Sequence, residues 1–148
     1  MPRSPKPIGP MRCVCAGLRR TARLLSRHYE EALRPAGVSP SQFELLSTLQ
    51  AMKAADQVRL VKMLETDQTT LSRNLKLLLA QGWVETAQDE RDARRRVYRV
   101  SDVGQAVLRE ASELWYAVHE RVHGLLGEHM EEVWPALDRI QDVARRLG

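Results

Sequence analysis

Three groups of residues in this 148-residue chain have types and spacings that could do chemistry. His119-Glu120-Arg121-Val122-His123 matches H-E-x-x-H, in which two imidazoles one helical turn apart hold zinc and the glutamate is the general base of a protease. That reaction needs a third ligand, usually from a separate helix, and Glu128, Glu131 and Glu132 lie too close in sequence to supply it. Zinc binding by His119 and His123 in a regulatory role asks for less, and two half-exposed helical histidines with no special task ask for least. Cys13 and Cys15 are the only cysteines. In a continuous helix they point about 200° apart, so they neither share an ion nor close a normal disulfide unless that turn is frayed. Cys15 alone is a candidate redox sensor, because cations at Arg12, Arg19, Arg20 and Arg23 favour a reactive thiolate. The alternative is a small hydrophobe on an apolar stripe. The third group is Gln68, Thr69, Thr70, Ser72, Arg73 and Lys76, followed by Arg91, Arg94, Arg95 and Arg96. It joins short polar side chains to reaching cations, the chemistry that meets base edges and phosphates.

These residues must be positioned by local structure. From Arg12 to Leu33, Cys15, Leu18, Ala22, Leu25 and Tyr29 recur at steps of three and four, which predicts an amphipathic helix stopped by Pro35 and Gly37. Ser39, Pro40 and Gln42 form a capping-box start for a second helix that buries Phe43, Leu46, Leu49 and Met52. Val58, Leu60, Val61 and Leu64 suffice for a brief strand residue and a short helix. Asp67 caps a third long helix with an inward stripe of Leu71, Leu75 and Leu78 and a stop at Gly82. At 100° per residue, Thr69, Arg73, Lys76 and Ala80 face outward, flanked by Thr70 and Ser72. Trp83–Thr86 and Val97–Val100 alternate with a period of two, predicting a hairpin with a charged tip over residues 87–96. Ser101 caps a helix with a stripe of Val107, Ala111, Leu114, Val118, Val122 and Leu125. Met130, Val133, Leu137, Ile140, Ala144 and Leu147 then make a heptad-like seam, with a kink or fresh helix start expected at Pro135. A second copy of the chain covers such a seam most simply, although an intrachain partner would serve too.

A short helix, a tight link, a capped helix with a polar, basic outer face and an arginine-tipped hairpin follow the order of a winged helix-turn-helix. A polar helix face alone is as well explained by solvent. The hairpin shifts the balance, because Arg91, Arg94, Arg95 and Arg96 repel one another unless an anion, or Asp89, Glu90 and Asp92, compensates. An extended arginine tip suits a narrow minor groove.

Four stretches then act together: Asp67-Gln68-Thr69-Thr70-Leu71-Ser72-Arg73-Asn74-Leu75, Gln81-Gly82-Trp83-Val84-Glu85, Asp89-Glu90-Arg91-Asp92-Ala93-Arg94-Arg95 and Val100-Ser101-Asp102-Val103-Gly104. Through them the chain from about Arg12 to its C-terminus resembles the MarR family of bacterial transcription regulators. The resemblance implies a mainly α fold with a small β-hairpin wing. Residues 37–101 would form the winged helix-turn-helix lobe, and residues 12–36 and 102–148 the interlocking dimerisation helices. It further implies an obligate homodimer on palindromic double-stranded DNA, with Arg91 entering the minor groove and Asp89 holding the wing in shape. Repression released by a small amphipathic or phenolic effector, or by an oxidant or metal, is the family expectation. Cys15 and Tyr29 look like the cysteine and one tyrosine of the family's peroxide-sensing branch, but the second tyrosine of that branch is Arg19 here. Ser101 stands where many members carry threonine. A regulator of this fold that answers to zinc, and an architectural protein that coats DNA without a preferred site, are the alternatives.

Composition agrees with that outline. The chain is 43% hydrophobic and 28% charged, within the globular range and of a length for one domain, so a large multidomain enzyme is excluded. Lys and Arg number 23 against 19 acids, a net +4 that favours an anionic partner. Residues 1–11 carry four prolines and no apolar run, which reads as a flexible basic arm rather than a signal peptide. The most apolar stretch, Leu75–Ala80, is far shorter than the ~20 residues of a membrane span. With no secreted disulfide framework and no implied cofactor, a cytoplasmic, non-enzymatic protein is the expectation.

Overall fold

A computed structural model describes residues 13–147; the proposed basic arm, residues 1–11, lies outside the described residues. Six α-helices and one hairpin follow in the order α1 (Val14–Leu33), α2 (Pro40–Met52), α3 (Gln57–Leu64), α4 (Gln68–Ala80), β1 (Val84–Gln88), β2 (Arg96–Val100), α5 (Asp102–Leu126) and α6 (Met130–Arg146), with 3-10 turns at Arg34–Ala36 and Gly127–His129. The fold is therefore mainly α with one antiparallel two-stranded hairpin, in register from Val84↔Val100 to Gln88↔Arg96.

Side-chain oxygens start four of these helices. Ser39 and Gln42 complete the capping box of α2, and Asp56 accepts from the Arg59 amide at the start of α3. Asp67 accepts from the Thr70 amide at 2.8 Å and from the Thr70 hydroxyl at 2.6 Å, so α4 begins with three orphan groups engaged by one carboxylate and one hydroxyl. These bonds from Thr70, its hydroxyl first, hold the Asp67 carboxyl below its ordinary value. Ser101 accepts from the Gly104 amide at the start of α5 and donates to the Gly82 carbonyl at 2.5 Å, stitching α5 to the end of α4.

The core lies under α4. Leu45, Leu46 and Leu49 of α2, Leu60 of α3, Leu71, Leu75 and Leu78 of α4, and Val84, Tyr98 and Val100 of the hairpin are buried, joined by Leu33, Leu108 and Ala111 from α1 and α5. Truncating a buried leucine of this kind to alanine costs about 2–5 kcal/mol. The brief strand residue expected among Val58–Leu64 is Ala55 instead, which exchanges amide bonds of 3.0 and 2.8 Å with Tyr98 and makes a short third edge beside β2.

Three other expectations are corrected. The first helix starts at Val14, with Cys13 as an extended cap, φ −73° and ψ 128°, rather than inside the helix. The chain restarts at Met130, not at Pro135, because Gly127 at φ +53° stops α5; Pro135 lies inside α6 and has no amide proton to offer the turn before it. Leu125 does not join the buried stripe of α5 but is 81% exposed. The α6 helix buries no residue fully among the described ones, and Trp134, Val143 and Leu147 are exposed. The α1 helix buries only Leu33, leaving Val14, Leu18, Leu24 and Leu25 exposed. Both terminal helices thus present apolar surface that their own chain does not cover.

Gly104 sits where α5 crosses the hairpin. A Cβ there would press on the Trp83 carbonyl and stand 2.9 Å from Val100 Cγ1, so backbone would have to give. Gly104→Ala is expected to destabilise the chain by about 3 kcal/mol and to lower Tm by about 10 °C in calorimetry. An unchanged Tm would remove this close approach from the account. Asp67 makes a second expectation. Its folded-state carboxyl is held low, so its contribution to stability is complete at neutral pH and disappears as pH falls through that lowered value. In acid titrations followed by circular dichroism, Asp67→Asn should lose part of the acid-side slope, whereas a curve superimposable on that of the wild type would rule this contribution out.

Candidate nucleic-acid interface

The α4 helix is oriented by its leucines, and the side chains opposite them are free. Gln68, Thr69, Arg73 and Lys76 are exposed, Ser72 is half-buried beside Leu71, and neither Arg73 nor Lys76 enters an ion pair among the described residues. Thr70 is exposed but its hydroxyl proton is committed to Asp67, so only its lone pairs and methyl group remain available. The outer face is therefore a cap, two short polar side chains and two unpaired cations within about two turns.

The wing tip is shaped by its acids. Asp89 Oδ1 accepts from the Arg91 amide at 2.9 Å, and Asp92 Oδ1 accepts from the Arg94 amide at 3.0 Å. The Asp89 amide donates to the Arg95 carbonyl and the Arg95 amide to the Asp92 carbonyl, closing the loop between the strands. These are local side-chain turns that spend the carboxylates on backbone groups. The guanidinium groups of Arg91, Arg94 and Arg96 are left exposed and outside every ion pair among the described residues.

Arg95 differs. Its guanidinium bonds to Asp56 Oδ2, and the Asp56 side chain is only 13% exposed. One carboxylate thus starts α3 and anchors the wing, with Gln57 adding a 3.2 Å bond to the Tyr98 hydroxyl. The sequence reading missed Asp56, although an aspartate before an apolar helical run is a start signal. A second ion pair absent from that reading joins Arg145 of α6 to Glu65, at 2.8 Å from Nε; Glu65 has φ +48° and begins the turn into α4.

The remaining sequence candidates lie elsewhere. Cys13 and Cys15 are both exposed at the start of α1. Tyr29 is fourteen residues further along the same helix, about 21 Å at 1.5 Å per residue, so the two do not meet within one chain. Tyr29 packs on Trp115 instead, and burial pushes its hydroxyl above the ordinary value. His119 and His123 face one another on α5 with ring centroids 4.1 Å apart, and among the described residues no set of three or more His, Cys, Asp or Glu side chains gathers as a metal cluster. No helix among those residues is long and apolar enough to cross a membrane.

Comparison with known proteins supplies the context for this arrangement. The sequence profile described as MarR family matches residues 36–95, from the turn before α2 to the wing tip. The multiple antibiotic resistance protein MarR of Escherichia coli K12 is 28% identical over 88 residues; the match takes in 60% of this chain and spans 61% of that relative's length. The crystal structure of the M. tuberculosis transcriptional regulator MosR in complex with DNA is similar over nearly the whole chain. It is 32% identical with a TM-score of 0.72, and the match covers 90% of this chain and 92% of that one. A mutant of E. coli MarR complexed with operator DNA shares the fold, with a TM-score of 0.77 at 22% identity over 86% of this chain and 94% of that one. The hairpin that closes on α4, the capped α4 itself and the flanking helices α1, α5 and α6 all fall within these matches, and the chain belongs to the MarR family.

Proposed function

We propose that this protein is a homodimeric transcription regulator that binds double-stranded DNA at a palindromic site, acting as a repressor. The observation that carries the reading is the pairing of an exposed Gln68–Lys76 face, free of ion pairs, with the unpaired arginines of a wing whose carboxylates are already used. Unpaired cations on two elements fixed to one core are what a phosphate backbone and a groove require. In this reading Gln68, Thr69, Ser72 and Arg73 meet base edges, Thr70 and Lys76 contact base or backbone, and Arg91 and Arg94 extend from the wing. Asp89 shapes the wing, and Arg95 acts through Asp56 as its brace rather than as a free contact. Residues 37–101 are the DNA-binding lobe. Residues 12–36 and 102–148 form the dimerisation region, supported by the uncovered apolar faces of α1 and α6.

Release is ascribed to a small amphipathic or phenolic effector or to oxidation. The extended cap conformation of Cys13 supports the oxidative route, because it removes the helical constraint that would hold Cys13 and Cys15 apart. The reading makes the protein a binding module rather than an enzyme. The deciding experiment is fluorescence anisotropy on duplex from the upstream region of its own gene, against random duplex at two salt concentrations, before and after peroxide. Site-preferring binding supports a regulator. Binding with no preference on any duplex tried would support the architectural alternative. Peroxide release reversed by reductant would make Cys15 the sensor, and indifference to peroxide would leave the small effector.

Two substitutions test the residue roles. Arg73→Ala is expected to weaken specific binding by about 1–3 kcal/mol and to blur preference at one base position. An equal loss on every sequence would make Arg73 a phosphate contact. Arg91→Ala should lower the salt slope by about one, as removal of a phosphate or groove cation does. A slope identical to that of the wild type would take the wing tip out of the interface.

A further inference from the structure

The H-E-x-x-H stretch of α5 has no part in the DNA interface, yet its two imidazoles are not idle surface groups. His119 and His123 are half-buried, one helical turn apart, with ring centroids 4.1 Å apart and planes inclined at 47°. His119 stacks on Trp115 at 4.5 Å and 19°. Trp115 is held in turn by Tyr29 of α1 at 6.0 Å and Phe43 of α2 at 5.6 Å. The first imidazole is thus fixed in orientation by a row of rings from three helices. The second carries an anomaly: His123 Nε2 is buried and has no hydrogen-bond partner. A buried ring nitrogen without a partner is uncommon in folded proteins and calls for a missing ion or ligand.

From this geometry we infer that His119 and His123 form a binding site for a borderline divalent transition-metal cation, of which zinc is the physiological candidate. Two imidazoles at i and i+4 offer two neutral nitrogen lone pairs on one face of a helix, and imidazole suits zinc, nickel and copper rather than magnesium or calcium. Coordination uses the His123 Nε2 lone pair that the folded chain leaves unmatched. With no third protein ligand gathered among the described residues, the other positions belong to water, which makes this an open site and not the closed cage of a structural zinc. The site is independent of the DNA-binding reading, because neither histidine lies on α4 or the wing. The ring row joins it to α1 and α2, so an ion here would bear on the packing of the helices that flank the lobe.

The test uses the full-length chain carrying Cys13→Ser and Cys15→Ser, so that no thiolate competes. Isothermal titration with zinc chloride should give one ion per chain, weakened at least tenfold by His119→Gln and by His123→Gln and unaffected by His28→Gln. Magnesium in large excess should not displace it. A measurement without variants at the site guards against misfolding: imidazole 15N shifts of His119 and His123 in the parent chain should move together on zinc addition. Nickel should quench tryptophan emission, and most of that quenching should vanish in Trp115→Phe, since Trp115 lies against His119. Absence of stoichiometric zinc binding by the parent chain, or binding that survives in both histidine variants with unshifted imidazole signals, would overturn the assignment.

Discussion

Everything presented on the surface of this protein depends on how α4 is seated. Leu71, Leu75 and Leu78 enter a cluster formed by Leu45, Leu46 and Leu49 of α2 and Leu60 of α3, closed from the other side by Val84, Tyr98 and Val100. Close packing leaves a helix little freedom to rotate once three of its side chains interdigitate with three other elements. A rotation of one residue would swing Arg73 and Lys76 by 100° about the helix axis and bring Leu77 or Leu79 toward water and polar groups inward. The exposed cations are therefore directed by apolar residues that never touch a ligand.

Around that core the polar groups mostly position backbone. Asp67 spends its carboxylate on the first turn of α4, Asp89 and Asp92 spend theirs on wing amides, and Asp56 both starts α3 and holds Arg95. The consequence is electrostatic. Acids that would otherwise neutralise neighbouring arginines accept from amides, and Arg91, Arg94 and Arg96 keep their charge for an external anion. Arg145 and Glu65 extend the same economy across the molecule, tying the last helix to the turn that enters α4. That pair is exposed and individually weak, but it marks where α6 and the lobe meet in one chain.

The terminal helices show a different logic. A helix whose apolar seam is half-exposed, as in α6, and a helix with several uncovered aliphatic side chains, as in α1, are not stable arrangements for isolated surfaces. They are consistent with a region completed by a second chain, which is why the lobe is self-contained and the flanks are not. The ring row through Tyr29, Phe43, Trp115 and His119 lies at the seam between these two regimes.

Much of this was legible in the chain itself, because it rests on local rules. Helical periodicity marked α1, α2, α4 and α5; Ser39, Asp67 and Ser101 marked starts through side chains that serve their own next turn; and the period-two alternation marked the hairpin. The outward face of α4 followed from the 100° step alone, and the arginine-rich tip from simple composition. What escaped the sequence needed distance. Ala55 pairs with Tyr98 forty-three positions on, Arg95 turns inward to Asp56, and Arg145 reaches Glu65, because burial and charge act between points that only the folded chain brings together. Boundaries also moved where competing signals met: Gly127, free to take a positive φ, ended α5 before Pro135 could act. Likewise the sequence placed His119 and His123 one turn apart, but only the tertiary structure buried one ring nitrogen without a partner and stacked the other ring against Trp115, since desolvation is a property of the surroundings and not of the spacing.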